Sequence, residues 1–480
     1  MGTGGGIMTG TDPKDELDLV NPASGELITT VTAVGAHEVA KAAERAHVVF
    51  ESGVWSGRPP RERATVLLRL ADLMERDAEL LARLDSEDAG KPITECRTGD
   101  VPGAIESIRW FAEAADKVFG RLASTGHDSL GLISREPVGV AAAILPWNYP
   151  LAMAAWKVGP ALAVGNSLLL KPAEATPRST LHLAGLAAEA GLPDHVLTVL
   201  PGHGSVTGAA LARDAFVRAL SFTGSATTGR GILADAAETN FKRVSLEMGG
   251  KSPQVLMPDA LSYGDELIEN MIEAAFLTMG QNCTAGSRIL VHQDIADEVL
   301  ARFTAAAKAL VIGDPAKPET QIGPLISRVA RDRVAAAVEE ARAAGAGIHT
   351  GGLPRGLHPQ GAYCPPTVVT GAPENGKVLT QELFGPVVTI QTFTSEDEAV
   401  GLANASEYGL AASVWTRDLD AAFHLARRIQ AGVVSVNAYS EGDITTPFGG
   451  WKQSGFGGAE KSTNAFEQWT REKTVWIRTR

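Results

Sequence analysis

Cysteine is scarce in this chain: 3 of 480 residues, Cys96, Cys283 and Cys364, lie far apart. No CxxC pair or Cys/His cluster occurs, which excludes a disulfide framework and a zinc site built on thiolates and points to a reducing compartment, the cytoplasm. Basic residues are also short, 43 Lys and Arg against 56 Asp and Glu, for a net charge of −13. Nucleic acid and anionic membrane surfaces are excluded as partners, because such binders concentrate cations to displace counterions. Long apolar runs are missing too. The most apolar stretch, Pro137 to Leu170, is cut by Pro146, Asn148, Pro150, Lys157 and Pro160, so no run of about 20 apolar residues is left to span a membrane. The Gly- and Thr-rich opening lacks a signal-peptide pattern, and residues 1–16 are expected to form a disordered tail.

What the chain does contain is a 44% apolar, 21% charged composition, ordinary for a globular protein of several domains. From His37 to Asp88, apolar residues such as Val66, Leu67, Leu70, Leu73, Leu80, Leu81 and Leu84 recur at helical spacing. Between Gly139 and Val244 short apolar runs (Val140 to Leu145, Ser167 to Leu170, Leu197 to Leu200, Ala219 to Phe222, Arg243 to Leu246) alternate with Ala-rich helical stretches. A second alternation follows Gly250, with runs at Pro253 to Met257, Arg288 to Val291, Val387 to Phe393 and Gly432 to Val436, and a helix near Ala330 to Ala344. Alternation of this kind predicts βαβ units and mostly parallel sheets. The fold class is therefore α/β, with two open α/β units meeting near Gly249-Gly250.

Glycine-rich loops give mixed signals. Gly202-His203-Gly204-Ser205-Val206-Thr207-Gly208 is one residue too long for the dinucleotide fingerprint. Gly224 to Gly229 has the spacing of a phosphate-binding P-loop, but Arg230-Gly231 follow where Lys and Ser or Thr are required. Its setting is informative all the same: an apolar run ends at Phe222 and Thr223-Gly224-Ser225 opens a helix, whose N-terminus either receives a phosphate or is simply capped by Ser225. Cys283, within Gly280-Gln281-Asn282-Cys283-Thr284-Ala285-Gly286, sits in a polar, small-residue stretch that interrupts a helical pattern. A thiol exposed on such a turn suits a nucleophile, against the alternative of a small buried apolar residue. Glu247 follows an apolar strand and precedes two glycines, a place from which a carboxylate enters an interdomain cleft or remains a solvated strand end.

Seven blocks together carry a resemblance. Pro146-Trp147-Asn148, Lys171-Pro172-Ala173-Glu174, Phe222-Thr223-Gly224-Ser225, Leu246-Glu247-Met248-Gly249-Gly250-Lys251, Gly280-Gln281-Asn282-Cys283, Glu382-Leu383-Phe384-Gly385-Pro386 and Pro447-Phe448-Gly449-Gly450 occur in the order and approximate spacing of the aldehyde dehydrogenase superfamily. The resemblance runs from about Leu17 to Trp476. It implies that Cys283 is the nucleophile, that Asn148 and the Cys283 N–H hold the oxyanion, and that Glu247 activates the water that hydrolyses a thioester. It also implies an NAD site: Lys171 and Glu174 on the adenosine ribose, Trp147, Gly204, Phe222, Gly224, Ser225 and Gly229 around adenine and pyrophosphate, and Glu382 with Phe384 at the nicotinamide ribose. Glu174 disfavours NADP. A 2′-phosphate about 4 Å from a carboxylate costs on the order of a few kcal/mol at an effective dielectric near 20.

For the substrate, the resemblance places Tyr149, Met153 and Trp156 along the entrance and Glu441 and Asp443 at its mouth. Two acids flanking Gly442 suit an aldehyde with a distal cation or amide. The Glu441 to Thr446 run, Lys452 to Gly455, Lys461-Ser462 and the Lys473 to Trp476 ending look most like the γ-glutamyl-γ-aminobutyraldehyde and aminoaldehyde dehydrogenase group. Ala459-Glu460 and Trp451 depart from its pattern. The alternatives are a broad aliphatic or aromatic aldehyde range, a CoA-acylating enzyme, which Glu247 argues against, a cysteine hydrolase, which lacks a His in the matched blocks, and a non-catalytic binding protein. In domain terms, the family implies an NAD-binding domain (17–121 and 138–249), a catalytic domain (250–449) and a small β element (122–137 and 450–480) that bridges a homodimer or homotetramer. The run Thr474 to Ile477 is expected to be a strand pairing with a neighbouring subunit.

Overall fold

The computed structural model describes residues 16–478. Helices of the opening third pack through the stripes that the sequence shows. In Pro60–Arg76 the buried residues Leu67, Leu70, Ala71 and Met74 fall on one face, and this helix packs on Val101–Ala114, which in turn packs on Pro150–Ala163. Tail residues 1–15 lie outside the described residues, and Glu16 opens the strand Glu16–Val20.

The first large sheet has six strands in the order Gly455–Phe456, Arg243–Glu247, Val217–Thr223, Val140–Ile144, Ser167–Lys171, Leu197–Val199. All neighbours are parallel except the short Gly455–Phe456 edge. Val140–Ile144 and Ser167–Lys171 are buried along their whole length, as strands covered by helices on both faces must be. Because the first strand of the unit, Val140–Ile144, is central, the chain leaves it to one side for Ser167–Lys171 and later to the other for Val217–Thr223. This reversal opens a crevice at the carboxyl ends of the strands. Trp147 and Asn148, Lys171 and Glu174, Thr223 to Ser225, and Glu247 are the residues at those ends.

The second sheet has seven strands, ordered Gly347–Thr350, Thr367–Thr370, Val387–Phe393, Arg288–His292, Pro253–Leu256, Ala411–Trp415, Val433–Val436, parallel except for its first pair. Ala411–Trp415 lies inside this sheet although its Ala-Ala-Ser opening has no strand signal; burial on both faces, not propensity, makes it a strand. Ser454 ties the segment after Arg243–Glu247 to the short strand Tyr408–Gly409: its hydroxyl donates to Gly249 O at 2.7 Å and accepts from Gly409 N at 2.9 Å.

A third sheet stands apart: Thr470–Arg478 pairs antiparallel with Ser129–Pro137 over nine residues, and Ser129–Pro137 pairs with Arg121–Ala123. The Thr474 to Ile477 run is thus a strand whose paired edge is met by its own chain, since Ser129–Pro137 is long enough to match it register for register. The segment 450–464 does not join this sheet. Trp451–Lys452 pairs with Tyr408–Gly409, and Gly455–Phe456 with Arg243–Glu247.

Candidate active site

A cavity of about 860 Å³ opens at the crevice and takes its walls from both α/β units. Asn148, Cys283 and Glu247 all line it, as do Trp147, Lys171, Glu174, Phe222, Gly224, Ser225, Glu382, Phe384, Tyr149, Met153, Trp156 and Glu441. Three expected residues do not. Gly229 is inside the helix Ala226–Glu238, where an added Cβ would meet Met248 Sδ at 3.0 Å, so it seats the helix on the sheet. Gly204 is spent on Glu174, to which its N–H donates at 2.7 Å. Asp443 is exposed and closes a turn, its Oδ1 accepting from Thr445 N–H at 2.8 Å.

Cys283 lies on the loop between the helix Asp265–Phe276 and the strand Arg288–His292. Gly250 lies directly against it; a Cβ there would stand 2.3 Å from Cys283 O, so only glycine allows this approach. The thiol is oriented towards Asn282 Oδ1 at 3.8 Å, and its own backbone N–H lies against the sulfur. Burial, followed by the charges of Glu441, Glu382 and Glu247, raises the thiol pKa well above its ordinary value. Burial disfavours the charged thiolate, and the neighbouring acids act in the same direction, the reverse of what an exposed turn would do. Asn148 is 5% exposed and its Nδ2 donates to Gln281 O at 2.8 Å, which fixes the amide beside the Cys283 loop.

Glu247 ends the strand Arg243–Glu247 and is buried. Its Oε2 has no hydrogen-bond partner, and burial together with the neighbouring Glu460 charge holds its pKa well above the carboxylate range. Glu460 is 1% exposed, ion-paired with the fully buried Lys157, and accepts from Ser221 Oγ at 3.2 Å. Neither Lys157 nor Glu460 stands out as functional in the sequence. A lone lysine within the apolar Pro150–Ala163 helix was the available signal, since a buried ammonium demands a buried partner.

The far end of the cavity is polar. Lys171, its pKa lowered to about 8 by burial, donates to Pro172 O and lies near Glu174. Burial would raise the Glu174 pKa, but the Gly204 N–H, His203 and Lys171 bring it below the usual range. Ser225 caps the helix Ala226–Glu238 by accepting from Thr228 N–H; the N–H groups of Ala226 and Thr227 have no intrahelical acceptor. Glu382 accepts from Gly250 N–H at 3.0 Å and is pushed up to about 7 by burial. Phe384, at φ 54, packs edge-on against Trp147 with ring centroids 5.3 Å apart. A cationic donor beside a hydroxyl-accepting carboxylate, free N–H groups at a helix N-terminus and a second carboxylate further along fit a dinucleotide: ribose, pyrophosphate, ribose.

Tyr149, Met153, Trp156 and Glu441 also line the cavity, and Trp156 packs on Phe448 with centroids 5.4 Å apart. The Glu441 carboxylate accepts from Thr284 Oγ1 and from Asn282 Nδ2, at 3.3 Å for the latter. The nearby Lys461 ammonium donates to the Glu441 backbone O at 2.9 Å, and burial lowers the Lys461 pKa against the opposing Glu441 charge. Gly99, Asp100 and Gly103 complete this wall, and Asp100 is neutralised by Lys91 at 2.5 Å. No group of three metal-ligating side chains occurs among the described residues, and no helix there is long and apolar enough to cross a membrane.

The sequence profile of the aldehyde dehydrogenase family matches residues 8–475. Aminoacetaldehyde dehydrogenase of Pseudomonas aeruginosa is 44% identical over 457 residues, 95% of this chain and 91% of that protein. The NADP/NAD-dependent aldehyde dehydrogenase PuuC of Escherichia coli is 44% identical over 472 residues, 98% of this chain and 94% of that one. The crystal structure of γ-glutamyl-γ-aminobutyraldehyde dehydrogenase from Burkholderia cenocepacia superposes with a TM-score of 0.92 at 44% identity, over 97% of this chain and 94% of that one. Identity sustained across both α/β units and the cavity between them leaves one assignment: this chain belongs to the aldehyde dehydrogenase family, as an oxidoreductase that uses NAD(P) to oxidise an aldehyde.

Proposed function

We propose that the chain oxidises an aminoaldehyde or γ-glutamylaminobutyraldehyde to its carboxylic acid with NAD, through a covalent thioester on Cys283. The observation that carries this reading is the meeting of Cys283, Asn148 and Glu247 in one cavity whose far end is built for a dinucleotide. Cys283 Sγ bonds the aldehyde carbon and gives up its proton to water. The resulting alkoxide is held by the Asn148 amide and the Cys283 N–H, donors that are fixed before reaction. NAD, when bound by Lys171, Glu174, Ser225 and Glu382, supplies the acceptor for the hydride that leaves this carbon. A thioester remains. Glu247, once deprotonated, takes a proton from water as that water attacks; the sulfur departs, recovers a proton from the acid, and the carboxylate is released.

The aminoaldehyde preference is supported by the Glu441 carboxylate, which lines the cavity and is hydrogen-bonded only to neutral side chains, and by the names of the two 44% identical relatives that act on amine-derived aldehydes. Glu174 supports NAD over NADP. Exposed apolar residues on the three-stranded sheet, Leu122, Leu132, Trp476 and Ile477, support a homodimer or homotetramer, and three free thiols support the cytoplasm. NADH formation with 3-aminopropanal, run beside Cys283→Ala, tests the core of the proposal. A Cys283→Ala enzyme with wild-type turnover would sink it.

A further inference from the structure

Cys283 is reached through an unusual turn. Thr278 (φ 52), Met279 (φ 56) and Gly280 (φ 68) are three consecutive left-handed residues, and the first two are fully buried non-glycine side chains. Such a conformation persists only where the surroundings impose it. Part of the constraint is local: Gln281 N–H donates to Thr278 O at 2.9 Å, and Gly280 lies so close to Gly385 that a Cβ would come within 2.5 Å of its carbonyl. The rest comes from the other end of the chain. Glu95, at the end of the short helix Ile93–Glu95, accepts from Thr278 N–H at 3.1 Å and from Thr278 Oγ1 at 3.1 Å, both on Oε2. The same hydroxyl contacts Tyr149 Oη at 3.1 Å.

Four residues before Glu95, in the non-helical stretch ahead of Ile93–Glu95, Lys91 holds the Asn148 backbone. It is fully buried, donates to Asn148 O at 3.1 Å and stands 3.6 Å from the centre of the Tyr149 ring. Asp100 balances its charge at 2.5 Å. A single segment, 91–100, thus grips the residue before the Cys283 loop with one side chain and the Asn148 backbone with another four positions away. Nothing in the seven sequence blocks includes Lys91, Glu95 or Thr278.

We propose that Glu95 is a positioning residue for the nucleophile: its carboxylate clamps the strained Thr278 to Gly280 turn and so sets Cys283 in register with the Asn148 amide. The proposal rests on Cys283 being the nucleophile. Burial pushes the Glu95 carboxyl up to about 7, against the opposing pull of Lys91 and of its two hydrogen bonds from Thr278.

The test is a double-mutant cycle on the full-length enzyme, with kcat, KM for NAD and the rate of Cys283 alkylation by iodoacetamide as readouts. Glu95→Ala is expected to lower kcat at least tenfold and to change the alkylation rate at least threefold, with KM for NAD within twofold of wild type. Thr278→Val lowers kcat several-fold, Thr278→Ser restores it, and the Glu95→Ala/Thr278→Val enzyme is no slower than Glu95→Ala alone. Multiplying losses in the double mutant, or wild-type kcat and alkylation in Glu95→Ala, overturn the clamp. If Glu95→Ala no longer binds NAD and is misfolded, the Val and Ser pair at 278 decides: a Val enzyme with wild-type kcat and alkylation overturns it. Cys283→Ala in parallel separates the two ideas: activity surviving there refutes the nucleophile and with it the clamp, whereas activity lost there with wild-type kcat and alkylation in Glu95→Ala refutes the clamp alone.

Discussion

Glu460 sits behind Glu247 and, after burial itself, is the largest influence raising the Glu247 pKa. The relationship is asymmetric. Glu460 has its counter-ion in Lys157, whereas Glu247 accepts only from the Gly450 backbone and keeps Oε2 unpartnered. In the proposed mechanism a carboxyl whose pKa is raised must lose its proton before it acts as the base for hydrolysis, so that half-reaction should respond to pH.

Turnover is therefore expected to rise with pH along a limb that belongs to Glu247. Raised pKa means that the base form is lost as pH falls and gained as pH rises. Glu247→Gln should abolish the limb and reduce steady-state turnover by ~100-fold or more, while a stoichiometric burst of NADH survives in stopped flow. Glu460→Gln removes the repelling charge and leaves the Lys157 cation, so the limb should move to lower pH. A limb that stays in place in Glu460→Gln, with Glu247 intact, would show that another group controls it.

The thiol should respond to the same electrostatics. Glu441 is the first charge that raises the Cys283 pKa, so Glu441→Gln should speed iodoacetamide alkylation of Cys283 at a fixed pH near 8, several-fold, and shift the alkylation profile towards acid. Equal profiles for wild type and Glu441→Gln would contradict the charge arrangement described for the loop.

Much of this site is legible in the sequence because its parts are at strand ends. Asn148, Lys171, Thr223 to Ser225 and Glu247 each follow a short apolar run, and a parallel sheet brings all carboxyl ends to one edge. Pairings that depend on burial are not legible in that way. Lys157 reads as an interruption of an apolar stretch and Glu460 as a departure from a motif, yet the two form one buried ion pair across 303 residues of chain. Asp443 lies outside the cavity lining for a local reason. An Asp followed two residues later by a free N–H closes an Asx turn, which turns the carboxylate back on its own backbone. The strand Ala411–Trp415 was hidden by its alanines, and the Glu95 contact with Thr278 by a separation of 183 residues.

Dinucleotide preference should follow Glu174. Its carboxylate accepts from Gly204 N–H and lies beside Lys171, an arrangement that welcomes hydroxyls and repels a phosphate. Glu174→Ser is expected to raise kcat/KM for NADP about tenfold or more relative to NAD, since a charge–charge repulsion of about 1.4 kcal/mol already gives that factor. An unchanged NADP to NAD ratio would mean that the adenosine ribose lies elsewhere.

Selection for a charged aldehyde is separable from catalysis because Glu441 and Asp443, two residues apart, lie in different surroundings. Glu441 lines the cavity, with Lys461 on its backbone carbonyl, and Asp443 is exposed and does not line it. A substrate ammonium that reaches Glu441 exchanges water for a partly desolvated partner, worth roughly 1–2 kcal/mol at such a site. The ratio of kcat/KM for 3-aminopropanal over butanal should accordingly fall about tenfold in Glu441→Gln, one pKa-sized step of free energy. Asp443→Asn should leave the ratio within twofold, because its carboxylate is engaged with Thr445. A ratio near one in the wild type, unaltered by either change, would instead give the enzyme a broad aldehyde range; a ratio that drops in Asp443→Asn alone would place the ammonium outside the cavity mouth.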